Sequence, residues 1–220
     1  MYVLHAVPDW GSFCVHAALA EMGVPFRLNL IDVDAGGLDD AAHRRVQPFG
    51  LIPGLDTPDG PLFETGAILL WLSERHGLAP APGTPERAAF LSWFVFTNNF
   101  VHVGAMDMVY PHRAAGEANA AAVSAATRAR LVERLAAMDA MVARDNPDWL
   151  SPDAPSVLAI YLSMLLRWLR AFPAIAADAI DCAQFPALQA VAQGMETRPA
   201  IRAAAAVEGL SGRFFSAPEV

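Results

Sequence analysis

The sequence predicts an α/β domain followed by an all-α domain, and three observations carry that reading. Over the first ~76 residues, short β-rich runs alternate with helical ones and end in a tight hairpin. A proline-rich stretch, LAPAPGTP at 78–85, has no apolar periodicity. Beyond it, apolar residues recur at the three- and four-residue spacing of amphipathic helices.

Tyr2 to Ala6 is a short apolar run broken by Pro8 and Gly11, a strand followed by a loop. An alanine-rich helix from about Ser12 to Met22 closes at Gly23. Phe26 to Val33 carries Leu28, Leu30 and Ile31 in loose alternation and is the second strand, parallel to the first if the helix between them is a right-handed crossover. Ala35-Gly36-Gly37 is a loop, and Leu38 to Val46 a short helix. Gly54 to Thr57 and Pro61 to Phe63 make two antiparallel strands joined through Pro58-Asp59-Gly60, and Ala67 to Arg75 is a helix ended at Gly77. In the second half, Phe90, Trp93, Phe94, Thr97 and Val101 mark one long amphipathic helix, and Leu131, Leu135, Met138 and Val142 another. Val157 to Leu169 is apolar nearly all round, as a central bundle helix should be, with Ser156 as its N-cap. Two shorter helices, about Pro186 to Met195 and Pro199 to Val207, each open on a proline, where a missing N–H costs nothing.

The composition narrows the function. At 220 residues, 55% of them hydrophobic, with mean hydropathy +0.32, the chain can bury a large core. Its longest apolar run, Val157 to Leu166, is well short of the ~20 residues that span a bilayer. No basic segment leads into an apolar one at the start, so a cytoplasmic location is expected. A net charge of −8 argues against a nucleic-acid partner. Every basic residue is arginine, and the absence of lysine excludes Schiff-base and lysine-nucleophile chemistry. Cys14 and Cys182 form no CxxC pair, and the scattered histidines show no HExxH or Cys/His cluster, so no metal is expected.

The stretch around which the chain is organised runs from Gln47 to Thr65, QPFGLIPGLDTPDGPLFET. Ile52 precedes a proline and is pushed to extended geometry, and Glu64-Thr65 stand where a strand hands over to a helix. Such a junction offers free backbone N–H groups and the positive end of a helix dipole to the carboxylate of a small ligand. An Ile-Pro, a turn, then Phe-Glu-Thr opening a helix resembles the glutathione site of the glutathione transferases. The all-helical second half extends the resemblance over nearly the whole chain. It implies a thioredoxin-like glutathione-binding domain at 1–77, a linker at 78–85 and an all-α C-terminal domain at 86–220. It also implies a cis proline at Pro53, glutathione as co-substrate, a homodimer, and neither membrane nor nucleic-acid partners. The backbone of Ile52, held by Pro53, would pair with the cysteinyl part of glutathione, and Glu64 and Thr65 would hold its γ-glutamyl end. One departure is Ala159, where the family usually has an Asp closing a capping box on Ser156; its loss costs the helix ~1 kcal/mol.

The resemblance also directs attention to Asp9–Cys14, because glutathione must react as a thiolate and the family stabilises it from the loop after the first strand. Aligning VHAAL with the family's first helix places the usual serine position on Asp9 and the beta-class cysteine position on Gly11. The nearest hydroxyl, Ser12, is the catalytic candidate, with a plain helix cap as the alternative, and Trp10 would wall the pocket. Cys14 reads as a small buried hydrophobe. In the second half, His102 resembles a beta-class site histidine, and with Phe100, Met106 and Tyr110 could line a cleft for an electrophile. Helix packing is the alternative for these four. His112 and Arg113 read as helix-end caps. The function implied is transfer of the glutathione thiolate to a small apolar electrophile. Glutathione-dependent isomerisation, dehalogenation or disulfide reduction, and a non-catalytic glutathione-binding or scaffold role, remain open.

Overall fold

The computed structural model describes residues 1–219. Strand β1 (Tyr2–Ala6) lies between β2 (Phe26–Leu30), to which it is parallel, and β3 (Gly54–Thr57), to which it is antiparallel; β4 (Gly60–Phe63) pairs antiparallel with β3 at the edge. The register sets Leu4 between Leu28 and Leu55, so the middle of the sheet is aliphatic. The second strand is shorter than its apolar pattern. After the Ile31 amide donates to the Ala6 carbonyl (2.9 Å), the chain turns, and the Asp32 carboxylate accepts the Ala35 amide (3.0 Å).

Helix α1 (Ser12–Glu21) crosses from β1 to β2 and buries every residue from Ser12 to Leu19. The sheet covers one side, and α8 (Val157–Ala171) and α10 (Pro199–Val207) cover the other, which is why small alanines rather than a narrow apolar stripe fill it. The expected helix at 38–46 divides into a 3₁₀ turn, Gly37–Asp39, and α2 (Ala41–Val46), because the Asp40 carboxylate caps the latter by accepting the Ala42 amide at 2.7 Å. The Ile52–Pro53 peptide leading into β3 is cis. Helix α3 (Thr65–His76) follows β4 and opens two residues earlier than its apolar run.

The second half is helical. The long helix expected around Phe90 to Val101 is α4 (Glu86–Phe96), a π-helical turn over Thr97–His102 and α5 (Val103–Val109), running on without a break. Then come α6 (His112–Ala115), α7 (Ala120–Asp145), α8, α9 (Pro186–Thr197) and α10. Val157 to Leu169 of α8 are all buried. Ser156 caps α8 without the missing Asp: its hydroxyl accepts the Ala159 amide (2.9 Å) and donates to the Trp149 carbonyl (2.6 Å).

Two polar clusters fix the loops at the end of the sheet. Asp9, after β1, takes a left-handed backbone at φ 60, unusual for a residue with a side chain. Its carboxylate is held bidentately by Arg167 of α8 (2.8 and 2.5 Å), and its amide donates to Glu208 (2.8 Å), which also holds His16 of α1 (2.7 Å). The second cluster is a stacked pair of buried histidines, His5 of β1 and His43 of α2, with their Nδ1 atoms 2.9 Å apart. His43 Nε2–H donates to the Leu51 carbonyl (3.0 Å), so the neutral His43 accepts at Nδ1 and His5 donates. Nε2 of His5 then faces the Asp56 carboxylate at 3.6 Å. One proton fits this chain; a second would set two N–H groups against each other.

Desolvation lowers both histidines below the ordinary imidazole value of 6.5; for His5 the neighbouring His43 adds to it. The unfolded chain therefore takes up protons first as pH falls. Stability is full above about pH 6.5 and is lost progressively below it, with a slope of up to about 1.4 kcal/mol per pH unit for each histidine. Denaturant unfolding followed between pH 8 and 4.5 is expected to be flat above neutrality and to weaken below it, and His43→Gln, which can still donate to Leu51, should flatten that decline. A decline unchanged in this variant would remove the histidine pair as its source.

Candidate active site

A cavity of about 630 Å³ opens where three sheet-end loops meet the α4–α5 helix and the end of α8. Three backbone segments converge on its floor. A Cβ on Gly11 would lie 3.2 Å from the Ile52 carbonyl oxygen and 3.5 Å from the Thr65 hydroxyl, so the β1–α1 loop, the segment before β3 and the start of α3 are already at packing distance. A side chain at position 11 would intrude on both neighbours. Behind them, a Cβ on Gly66 would approach Asn98 Oδ1 to 2.6 Å, so this glycine lets the start of α3 lie directly against the π-helical turn.

What these segments present is a set of unused hydrogen-bonding groups. Among the described residues, the N–H and C=O of Ile52 are unpaired, as the free edge of a strand would be. The amides of Gly11 and Ser12 at the start of α1, and of Thr65, Gly66 and Ala67 at the start of α3, likewise find no acceptor. Glu64 has a positive φ of 70, and neither its carboxylate nor the Thr65 hydroxyl has a partner among the described residues. Strained backbone carrying free polar groups is the signature of a binding site rather than of structural bonding.

Of the residues singled out in the sequence, Trp10, Ile52, Pro53, Glu64, Thr65, His102, Met106 and Tyr110 all line this cavity. Two do not. Ser12 is fully buried; its hydroxyl donates to the Val7 carbonyl (3.0 Å) and accepts the Val7 amide (3.2 Å), so it ties the loop to itself and faces away from the cavity. It is also the first helical residue rather than the cap, a place taken by Gly11. Phe100 lies on the other face of its helix, because residues two apart in a helix point to roughly opposite sides and His102 already faces the cavity. Its ring sits instead beneath Arg134 (4.2 Å) beside a separate cavity of about 200 Å³.

The Tyr161 hydroxyl donates to Asn98 Oδ1 (3.2 Å) and so accepts from His102 Nδ1–H (2.5 Å). Burial lowers the His102 pKa to about 4, so the imidazole is neutral at physiological pH and serves as a fixed dipole. Burial pushes the Cys14 thiol far above its usual range and Cys182 up to about 11, so neither offers a thiolate. Arg113, read from the sequence as a helix-end cap, stacks over Tyr110 (3.7 Å) on the cavity wall, and the sequence reading missed Trp168, Phe172 and Asp107, which complete that wall. The helix breaks at Tyr110 and Pro111, so no helical spacing ties Arg113 to the cavity residues of α5, and the stacking could not be read from the sequence. Among the described residues there is no cluster of His, Cys, Asp and Glu suited to a metal ion.

Residues 1–74 match the family model described as the N-terminal domain of glutathione S-transferase. Over 91% of its length the chain is 28% identical to the disulfide-bond oxidoreductase YfcG of Escherichia coli (strain K12), covering 92% of that protein. A sphingomonad glutathione S-transferase solved in complex with glutathione is 31% identical and superimposes with a TM-score of 0.76 over 95% of this chain and 100% of its own. The beta-class enzyme of Sphingomonas chungbukensis is 28% identical, with a TM-score of 0.74 over 95% of this chain and 100% of its own. Sheet order, helical second half and loop convergence agree with these similarities, and the chain belongs to the glutathione S-transferase family.

Proposed function

We propose that the protein binds glutathione across the three converging loops and delivers its sulfur, as a thiolate, to a second substrate in the apolar half of the cavity. The observation that carries this reading is the convergence of Gly11, Ile52 and Thr65, which sets unpaired backbone groups of three segments within one ligand's length. The free N–H and C=O of Ile52 suit the cysteinyl backbone, and the free amides of α3 suit the γ-glutamyl carboxylate, with Glu64 taking the ammonium group and the Thr65 hydroxyl a further hydrogen bond. This places the thiol beside the start of α1, where the Gly11 and Ser12 amides and the helix dipole favour its charged form. The role expected of the Ser12 hydroxyl passes to backbone.

In the transfer reaction the sulfur attacks an electrophilic carbon, a C–S bond forms, and the leaving group departs with its electron pair. The helices contribute proximity and a dry, largely apolar wall. A second reading, disulfide exchange, is favoured by the likeness to YfcG. There the same thiolate attacks a disulfide sulfur and the second sulfur leaves as a thiolate. Both readings need an external thiol, because neither cysteine of this chain is exposed or ionised. Two free cysteines also suit the reducing cytoplasm, where we place the protein.

The protein is further proposed to work as a homodimer. Phe49 (65% exposed), its edge-to-face partner Phe63 and Leu51 form an apolar patch beside the hairpin, and Val95, Phe100 and Val103 leave another along the helix wall. A second copy of the chain would cover both. Sedimentation velocity at micromolar concentration should give twice the chain mass, and Phe49→Ser should shift the population toward monomer; wild type sedimenting as monomer would end this proposal.

The glutathione reading is tested by titration calorimetry. Micromolar-to-millimolar binding is expected, and Glu64→Ala should weaken it by ~10- to 100-fold, the worth of one charge-assisted hydrogen bond. Absence of binding at millimolar glutathione, or a Glu64→Ala variant that binds like wild type, would defeat the site.

A further inference from the structure

We propose that the second substrate is a flat, apolar electrophile bearing a carboxylate, recognised by the Arg113 guanidinium. This rests on the reading that the cavity holds glutathione and a second substrate together. Arg113 lies 3.7 Å over the Tyr110 ring, and among the described residues its guanidinium makes no ion pair or hydrogen bond. Stacking fixes the plane of the guanidinium and leaves its edge of N–H donors free, the geometry that takes a carboxylate bidentately. Trp168 is only 7% exposed and its ring lines the same cavity, while its Nε1–H is turned into the protein and not toward a ligand.

The remaining wall defines the body of the substrate. Tyr110, Trp168 and Phe172 present aromatic surfaces, and the His102 ring packs edge-on against Trp168 at 5.6 Å, its Nδ1 already occupied by Tyr161. Flat rings suit a flat ligand. Asp107 faces the same cavity, also without a cationic partner among the described residues, and its charge opposes an anionic ligand. Asp107 therefore gives the proposal a variant that should act in the opposite direction to loss of Arg113.

A matched pair of probes separates charge from shape: 4-chloro-3-nitrobenzoate and 4-chloro-3-nitrobenzamide. In each, the glutathione thiolate attacks the ring carbon bearing chlorine, the C–S bond forms, the C–Cl bond breaks and chloride leaves with the electron pair; the carboxylate or amide takes no part in bond making. After normalisation to the uncatalysed rates, kcat/KM should favour the carboxylate by roughly tenfold or more. Arg113→Met should bring the ratio near unity, Arg113→Lys should restore part of it, and Asp107→Asn should raise it. Binding of unreactive 3-nitrobenzoate against 3-nitrobenzamide, read by tryptophan fluorescence quenching, should show the same preference without turnover. Failure of glutathione binding or transfer with the benzoate preference intact would count against the proposed function alone. An amide bound or turned over as well as the carboxylate, or a preference that survives Arg113→Met, would overturn the inference. So would an Arg113→Met variant that loses glutathione affinity while the ratio stands, since Arg113 would then be holding a carboxylate of glutathione itself.

Discussion

The grip of Arg167 on Asp9 is the interaction on which the rest of the site depends. Arg167 leaves α8, the most buried helix of the second half, and its two donors close on a carboxylate at the end of β1. The pair anchors Asp9 in a left-handed backbone at the turn that leads the β1–α1 loop to the cavity. A buried arginine deprived of its partner typically costs about 3–5 kcal/mol, so loop conformation and helix packing are locked to each other. Glu208 extends the clamp by taking the Asp9 amide and His16, which binds the end of α10 to the same loop. Asp9 is thus structural, although it stands where the family often has its reacting side chain.

With that position used for docking, the proposed stabilisation of a bound thiolate would pass to the backbone. Gly11 is pressed against Ile52 and Thr65 too closely for a larger side chain, and Ser12 spends both directions of its hydroxyl on Val7. The groups left over beside the thiol position are amides at a helix start, which need no side chain and do not depend on pH. The histidine pair behind the loop holds the Leu51 carbonyl, one residue before Ile52, whose N–H and C=O are unpaired among the described residues. Position is therefore fixed from behind by side chains, while the cavity face is largely backbone.

Much of the architecture was legible in the sequence because its signals are local. The Ile-Pro, the hairpin at Asp59-Gly60, the Ser156 cap and the all-round apolar run of α8 each follow from turn chemistry or periodicity within a few residues. Ile52, Pro53, Glu64 and Thr65, singled out through the resemblance that the local Ile-Pro and Glu-Thr motifs carry, all line the cavity. What was not legible arises from long-range pairing. Asp9 meets Arg167 and Glu208 across more than 150 residues, while Ser12 is turned inward by its bonds to Val7. Phe100 was misplaced because apolar character was read without helical phase, and Arg113 was taken for a cap because its stacking on Tyr110 shows only in three dimensions.

The ionisation of bound glutathione is the central point, and it can be read directly as ultraviolet thiolate absorbance against pH, in wild type and in Ser12→Ala. The account predicts a bound thiol ionising well below the ~8.5 of an ordinary cysteine thiol, to the same extent in both proteins, because the Ser12 amide survives the substitution and its hydroxyl never faces the ligand. A depression lost in Ser12→Ala, or absent from wild type, would contradict it.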